Sequence, residues 1–517
     1  MPKFNKRRTK AAARSAILTT RAGVTTHEGG PGFARGPRSE LFLLAVANIV
    51  GESTFYETAG ARDERFARLV AAVAVDHPQW MARFIPWLRT EANLRSASIV
   101  AALHAAHAML AAGIPGARPV VASALHRADE PGEALAYWTS TFGRTIPKPV
   151  KRGVADAVGR LYTEYGLLKY DTGTTGFRFA DVLELTHPKP ISPAQGDLFG
   201  WALARRHGRV GPSPSSLAMV GANVALRSLA RTDPRVLLDA EVLREAGMTW
   251  EDVLSLAGST VDKAELWSAV IPSMGYMALL RNLRNFDQAG VPEPVAKRVA
   301  ARLGDQAEVA ASKQFPFRFL SAHRAAAASM RWSRALERAL EASLANVPGL
   351  RGRTLVLVDV SGSMRSPAGG GHSRLTRADV AKVFGAALAL RGSATLVWFD
   401  HDSGQVRVPK GAALLHAIGQ FPDRHGGTET GTAVRRWYDG HDRVVIVTDE
   451  QAHFTGHANV AEAVPDRVPV YTWNLGGYRH GHAPSGAGNR HTFGGLTDHA
   501  FRLIPLLERG QDTGWPF

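Results

Sequence analysis

The chain has 517 residues, 62 Lys and Arg against 46 Asp and Glu, a formal charge of +16, and no cysteine. That length exceeds one ordinary core, so at least two domains are expected. The missing cysteine excludes disulfides, thiol nucleophiles and cysteine zinc sites, and the basic excess favours a polyanionic partner such as nucleic acid.

Residues 1–38 open on Lys3, Lys6, Arg7, Arg8, Lys10, Arg14 and Arg21, with no acid before Glu28. They read as a flexible basic arm, ordered from near Ser39, that touches phosphates or solubilises the terminus. The basic start lacks an apolar core long enough for a signal peptide. No run of about eighteen apolar residues is present for a membrane span. A cytoplasmic protein without a membrane partner is expected.

From residue 39 to about 349, small apolar residues recur at helical spacing, as at Phe66, Leu69, Val70 and Val73. Helices are predicted at 39–50, 62–76, 79–89, 95–112, 116–129, 133–141, 151–165, 195–207 and 221–231, then at 234–246, 262–270, 275–287, 292–303 and 329–346. Strand signals are nearly absent, and the short helices suggest stacked pairs of the HEAT or armadillo type.

Within this part, three places combine base with planar or polar side chains, as single-stranded RNA requires. Lys148, Lys151 and Arg152 sit at a helix start, which favours phosphate; the alternative is a solvated turn. Lys169, Tyr170, Arg178 and His187 form the second group, with His187 alternatively stabilising a buried turn before Pro188. Arg281, Asn282, Arg284 and Asn285 fall on or near one helical face, where Arg281 could instead be a buried structural arginine.

Beyond residue 350 the pattern changes to alternating strand and helix. Strands are predicted at 354–359, 394–400, 443–449 and 469–475, and helices at 375–391, 411–419, 430–438 and 497–508. A doubly wound, mostly parallel sheet follows. Thr354 to Val358 is apolar or β-branched throughout and runs into Asp359, Ser361 and Ser363. A carboxylate and two hydroxyls at alternate positions aim hard oxygens at one point, suiting Mg²⁺, Mn²⁺ or Ca²⁺; an Asp N-cap with polar turn residues is the alternative. Gly426 to Gly431, GGTETG, then opens a helix and offers Thr428, and the second buried strand Arg443 to Thr448 ends at Asp449. The stretch RHGHAPSGAGNRH, Arg479 to His491, reads as a surface loop whose His480 and His482 decorate it.

D-x-S-x-S, G-G-T-x-T-G and strand-T-D, in that order, resemble a von Willebrand factor A domain with a metal-ion-dependent adhesion site. The resemblance implies Asp359, Ser361, Ser363, Thr428 and Asp449 around one Mg²⁺, with a coordination position open to a partner's oxygen. In the helical part, Met274 to Leu283, MGYMALLRNL, resembles the ALLRNL segment of the TROVE module of the Ro family. Leu183 to Pro190, LELTHPKP, resembles that family's LRLSHLKP segment, and Phe142-Gly143-Arg144 matches its GRALRK neighbourhood in part. A basic arm (1–38), a TROVE-like HEAT-repeat ring (39–349) and a von Willebrand A-like domain (350–517) is the arrangement this implies.

By that resemblance the protein is a non-enzymatic RNA binder and a monomer. The outer face would take a small Y-type RNA, using His187, and Arg144 is a further RNA-binding candidate. The hole would take single-stranded 3′ ends of misfolded or structured RNA, in concert with a 3′→5′ exonuclease such as polynucleotide phosphorylase. One departure stands out: the family's Arg a few residues after its Lys is missing, since Lys169 is followed by Asp171-Thr172-Gly173-Thr174-Thr175, and Arg178 is the replacement from another position. Two other classes remain: a metal-dependent protein adaptor without RNA, and a metal-dependent nuclease, to which Glu450 would add a carboxylate. No nucleophile elbow or P-loop is present.

Overall fold

The computed structural model describes residues 14–47, 53–172, 176–209, 211–312, 314, 316–326, 329–345, 347–368, 375–409, 412–453, 460, 462–486, 489–495, 498–510 and 514–517. Residues Lys3, Lys6, Arg7, Arg8 and Lys10 of the basic arm, and residues 369–372 (GGGH), which the sequence suggests as a long loop after the metal motif, lie outside these.

The helical part runs from helix Pro37–Ala47 to helix Met330–Ser343. Most helices pack on those one or two positions away in sequence, as stacked pairs must. Local chemistry sets their ends. Thr58, Thr163, Ser192 and Thr249 each accept a backbone N–H from the first turn of the helix they precede. Predicted helices at 116–129 and 234–246 are shorter or divided: Ala117–Ala124 ends at an extended Leu125, and Pro234–Leu238 is a separate 3₁₀ turn before Ala240–Glu245. Glu164–Tyr170, Phe179–Thr186, Trp250–Ala257, Gln306–Ser312 and Pro316–Ala325 are helices that periodicity alone does not reveal.

The α/β domain holds a six-stranded sheet of β3 (Arg353–Asp359), β4 (Ser393–Phe399), β5 (Ser403–Gln405), β6 (Arg443–Thr448), β7 (Val470–Asn474) and β8 (Arg490–Gly494). Their order is β5-β4-β3-β6-β7-β8, parallel except for the edge pair β4–β5. β3 is thus flanked by β4 on one side and β6 on the other, which opens a crevice beyond its carboxyl end. Helix Arg377–Arg391 lies so close to β3 that a Cβ on Gly385 would come within 2.3 Å of Val358 Cγ2.

Two expectations are corrected here. Residues 19–35 are not a flexible arm but a hairpin of β1 (Thr19–Thr25) and β2 (Pro31–Arg35), docked on the α/β domain. Its Phe33 amide donates to Gly481 O at 2.8 Å and its Gly30 amide to Ala452 O at 3.0 Å. Secondly, Arg479 to His491 is not a surface loop. The hairpin covers it, His482 and His491 are buried, and its end forms β8.

Both ends of the helical array meet the α/β domain. At the far end, Arg324 pairs with Asp379 at 2.8 Å, and one continuous apolar core runs from Leu226 in the array to Leu507 in the α/β domain. At the near end, Arg62 and Arg65 donate to Gly476 O and Gly477 O at 3.2 and 2.9 Å. The carboxyl-terminal Trp515 and Phe517 rings pack on Phe42 and Trp80 of the first helices. The chain therefore closes on itself. Among the described residues, no helix is long and apolar enough to cross a membrane.

Candidate metal centre and nucleic-acid interface

β3 delivers Asp359 to the crevice because its five preceding residues are all buried in the sheet. The Ser361 amide donates to Asp359 Oδ1 at 2.9 Å, Thr448 Oγ1 donates to Asp359 Oδ2 at 2.5 Å, and the Ser361 and Ser363 hydroxyls lie 3.3 Å apart. Asp449, at the end of β6, takes a long bond from the Gln451 amide, 3.4 Å. The Gly426–Thr428 loop is pinned from two sides: the Gly362 amide donates to Gly426 O at 2.9 Å, and the Gly426 amide to Asp400 Oδ2 at 3.1 Å. Asp359, Ser361, Ser363, Thr428 and Asp449 are all buried. The structure thus gathers the five residues on three loops, those after β3 and β6 and the one that leads into helix Thr430–Trp437.

Electrostatics mark the cluster as short of positive charge. Burial, and then the neighbouring Asp449 charge, push the Asp359 carboxyl above its ordinary range despite hydrogen bonds from Ser361 and Thr448. Burial likewise raises Asp449, against the nearby Arg377 guanidinium. Asp449 Oδ2 is buried without a hydrogen-bond partner, as is Thr430 Oγ1. A desolvated carboxylate oxygen without a donor is costly unless a cation or proton satisfies it. Two carboxylates with hydroxyls match a hard divalent cation. No group of three His, Asp or Glu side chains suited to a metal gathers among the described residues, so the donor set here is hydroxyl-rich.

The loop after β6 carries strain. Glu450 has φ 63°, unusual for a residue with a long side chain. Its fully buried carboxylate accepts from Arg35 of β2 at 2.5 Å and from Asn474. Asp400, Arg377 and Arg35 also shape this centre, and motif reading singled out none of them; Thr448 entered it only as the Thr of the strand-T-D motif, and Glu450 only as the added carboxylate of the nuclease alternative. Asp400, following the apolar run of β4, and Thr448, closing β6, stand at strand ends where ligands bind.

On the helical part, Lys148 and Arg152 are exposed and Lys151 half-buried in the first turns of helix Lys148–Leu161, with Arg144 exposed in the turn before. Gln195 Nε2 donates to Gly159 O and Tyr162 O, so the His187–Gln195 segment adjoins the far end of that helix. Its 14 residues span about 21 Å, and the two basic groups occupy its opposite ends.

Lys169 is exposed, its ammonium 5.4 Å from the Tyr165 ring and 5.2 Å from the Tyr170 ring, and Arg127 lies 5.2 Å from Tyr170 on the same patch. His187 is exposed rather than buried in a turn, and caps helix Phe179–Thr186 in the left-handed region at φ 48°. Arg178 departs from the expectation. Its guanidinium is held by buried Asp171 at 2.8 Å, and its backbone begins the same helix, so it braces the fold instead of standing free for phosphate. Arg281 and Arg284 are exposed, which removes the buried-arginine alternative. Asn282 turns inward, donating to Ala278 O at 2.8 Å, and leaves their face. Sequence reading missed Arg127 and Tyr165, which only the packing of distant helices brings to Lys169.

Residues 244–336 match the family model of the TROVE domain. The chain also superposes on the crystal structure of the Ro (RSR) protein of Deinococcus radiodurans, with a TM-score of 0.58 at 19% identity, covering 92% of this chain and 100% of that one. The chain has the fold of that Ro protein, and its residues 244–336 resemble the TROVE domain. Among curated relatives, telomerase protein component 1 of Mus musculus is 43% identical over 77 residues, and that of Rattus norvegicus 42% over 77. Each match takes in 14% of this chain and 3% of the relative, so the likeness is to one segment of those proteins.

Proposed function

We propose that this chain is a non-enzymatic RNA-binding protein acting in RNA quality control or maturation. The observation that carries the reading is the patch of Lys169, Tyr165, Tyr170 and Arg127, with His187 exposed on the same helical array of Ro fold. Cations among aromatic faces hold both phosphates and stacked bases. A small Y-type RNA is the folded ligand for this outer face. Single-stranded 3′ ends of misfolded or structured RNA enter the ring and pass to a 3′→5′ exonuclease such as polynucleotide phosphorylase. The protein works as a cytoplasmic monomer.

In the α/β domain, Asp359, Ser361, Ser363, Thr428 and Asp449 would hold Mg²⁺, or Mn²⁺ or Ca²⁺. The buried, unpartnered Asp449 Oδ2 supports this. When bound, the ion supplies a positive centre for an oxygen ligand of a partner. The chain's own residues fix the shape: Thr448 orients Asp359, Asp400 holds the Gly426–Thr428 loop, and Arg377 offsets the charge of Asp449. A two-metal nuclease uses a denser set of carboxylates.

Filter binding of a folded small RNA tests the RNA reading. With about 6–10 phosphate contacts, affinity should fall by roughly 10³–10⁵ between 50 and 200 mM salt. A flat salt response, together with purified protein free of nucleic acid, would favour the adaptor reading.

A further inference from the structure

Beneath the Lys169 patch the helical array holds a cavity of about 320 Å³. Tyr162, Tyr170, Phe177 and Phe179 give it an aromatic lining. The Tyr162 and Phe179 rings stack, with centroids 3.8 Å apart and planes 13° from parallel. Helix Glu130–Thr141 contributes Gly132 and Ala136, whose small size keeps the space clear. A Cβ on Gly132 would come within 2.6 Å of Phe177 O, so the close approach of that segment needs the glycine. Lys169 and Tyr170 belong both to the lining and to the outer patch. The cavity therefore opens where Lys169 and Arg127 lie against the Tyr170 ring.

One polar group of this lining is left over. Tyr162 is 3% exposed, and its hydroxyl is buried without a hydrogen-bond partner among the described residues. Burial, and then the charges of Asp171, Asp129 and Asp181, push the phenol well above its ordinary range, so it stays protonated and can donate. An O–H shut away from water without an acceptor is costly. The carboxylates on the lining are engaged elsewhere: Asp129 is held by Arg95 at 3.1 Å and by Arg127, and Glu133 by Arg95. A ligand that brings its own acceptor would complete the site.

We propose that this cavity takes the base of one unpaired nucleotide, with Tyr162 Oη donating to an acceptor on the base edge and Lys169 meeting the adjoining phosphate. The assignment rests on the RNA reading above and adds a base-reading position to it. The chemistry narrows the occupant. The volume is at the low end of small-ligand pockets and suits one planar ring system. Aromatic walls favour a ligand with a π-face. A cationic side chain of a protein partner would meet Lys169 and Arg127 at the mouth, and an apolar one would leave the Tyr162 hydroxyl unsatisfied. A neutral ring that carries acceptors and is tied to an anion fits the walls, the hydroxyl and the mouth together. A base that is already unpaired also costs least to bring out of its stack.

The test is filter binding of the full chain to three RNAs: a stem with one unpaired nucleotide, the same stem with that nucleotide abasic, and the stem fully paired. The wild type should bind the first roughly 5–150-fold more tightly than the second. Tyr162→Phe keeps the ring and its stacking. It should weaken the first RNA by roughly 2–10-fold and leave the second unchanged, with no loss of thermal stability, because the hydroxyl has no partner to lose. Ala136→Leu fills the cavity from helix Glu130–Thr141 and should bring the first RNA down to the affinity of the second. Circular dichroism checks each fold, and if Ala136→Leu does not fold, Tyr162→Phe decides. A wild type that binds the three RNAs equally overturns the base assignment and leaves the RNA reading standing. So does a Tyr162→Phe loss shared equally by the first and second RNAs, which would mark the hydroxyl as structural. A wild type that binds none of the three overturns both and leaves the cavity to a protein side chain.

Discussion

The helical array and the α/β domain each hold buried and exposed cations, and the two kinds do different work. Around the α/β domain some arginines are taken inward, Arg443 pairing with Glu508, Arg490 donating to Val464 O and Val468 O, and Arg35 of the docked hairpin pairing with Glu450, whereas Arg435 and Arg436 stay exposed. On the array, Lys148, Arg152, Lys169, Arg281 and Arg284 stay in solvent. A net charge of +16 is therefore a poor guide to a binding surface until each cation is located. Buried pairs lock local structure, and exposed cations remain free to meet phosphate.

Arg35→Ala probes the buried side of this contrast. It leaves Glu450 charged, enclosed and one partner short beside Asp449. Removing one member of a buried pair costs about 3–5 kcal/mol, which urea denaturation should register, with loss of amide protection across β1 and β2. A change below about 1 kcal/mol would mean that water replaces the guanidinium freely.

A second probe is acid. Burial, helped by Arg490, pushes His491 down to about 4 from its ordinary 6.5. The folded state therefore favours the neutral ring. Its contribution to stability is present above pH 6.5 and is lost as pH falls from there toward 4, by about 3 kcal/mol in all. His491→Phe, which keeps the stacking on Tyr471, should flatten the stability profile in that window. An unchanged profile would show that His491 does not carry the acid sensitivity.

On the exposed side, Lys169→Ala with His187→Ser removes one phosphate partner and one planar donor. Each is worth on the order of 1–3 kcal/mol toward a folded small RNA. A short single-stranded oligonucleotide, held by other residues inside the ring, should lose little. Equal losses for both ligands in filter binding, with circular dichroism unchanged, would reduce the two surfaces to one general basic face.

The smallest expected effect joins the two regions. Asp359→Ala should empty the metal centre yet shift RNA affinity by less than about 0.5 kcal/mol, as for sites that share no partners. A folded Asp359→Ala protein that no longer binds RNA would break the separation.

How far the sequence could be read also differs between the regions. β3 and β6 were legible because a strand buried on both faces must be apolar throughout, and Asp359 and Asp449 follow such runs directly. β8 was not. Arg490 and His491 look like loop residues, and their burial depends on β7 beside them and on a hairpin more than 450 positions earlier in the chain. The same hairpin hid behind the basic composition of the first 38 residues. In the array, helices of seven or eight residues such as Glu164–Tyr170 and Phe179–Thr186 are too short to show a 3.6-residue period. Lys169 and His187 were found through local segments. Arg127 joins Tyr170 only because distant helices pack together, and Asp171 takes Arg178 out of the free surface.

Ultraviolet crosslinking of a bound small RNA to the native protein, followed by peptide mapping, tests the division most directly. The account expects crosslinks on the array at Tyr165, Tyr170 and His187, unchanged by chelation of divalent ions. Crosslinks confined to the α/β domain, or abolished by chelation while the fold persists, would contradict it.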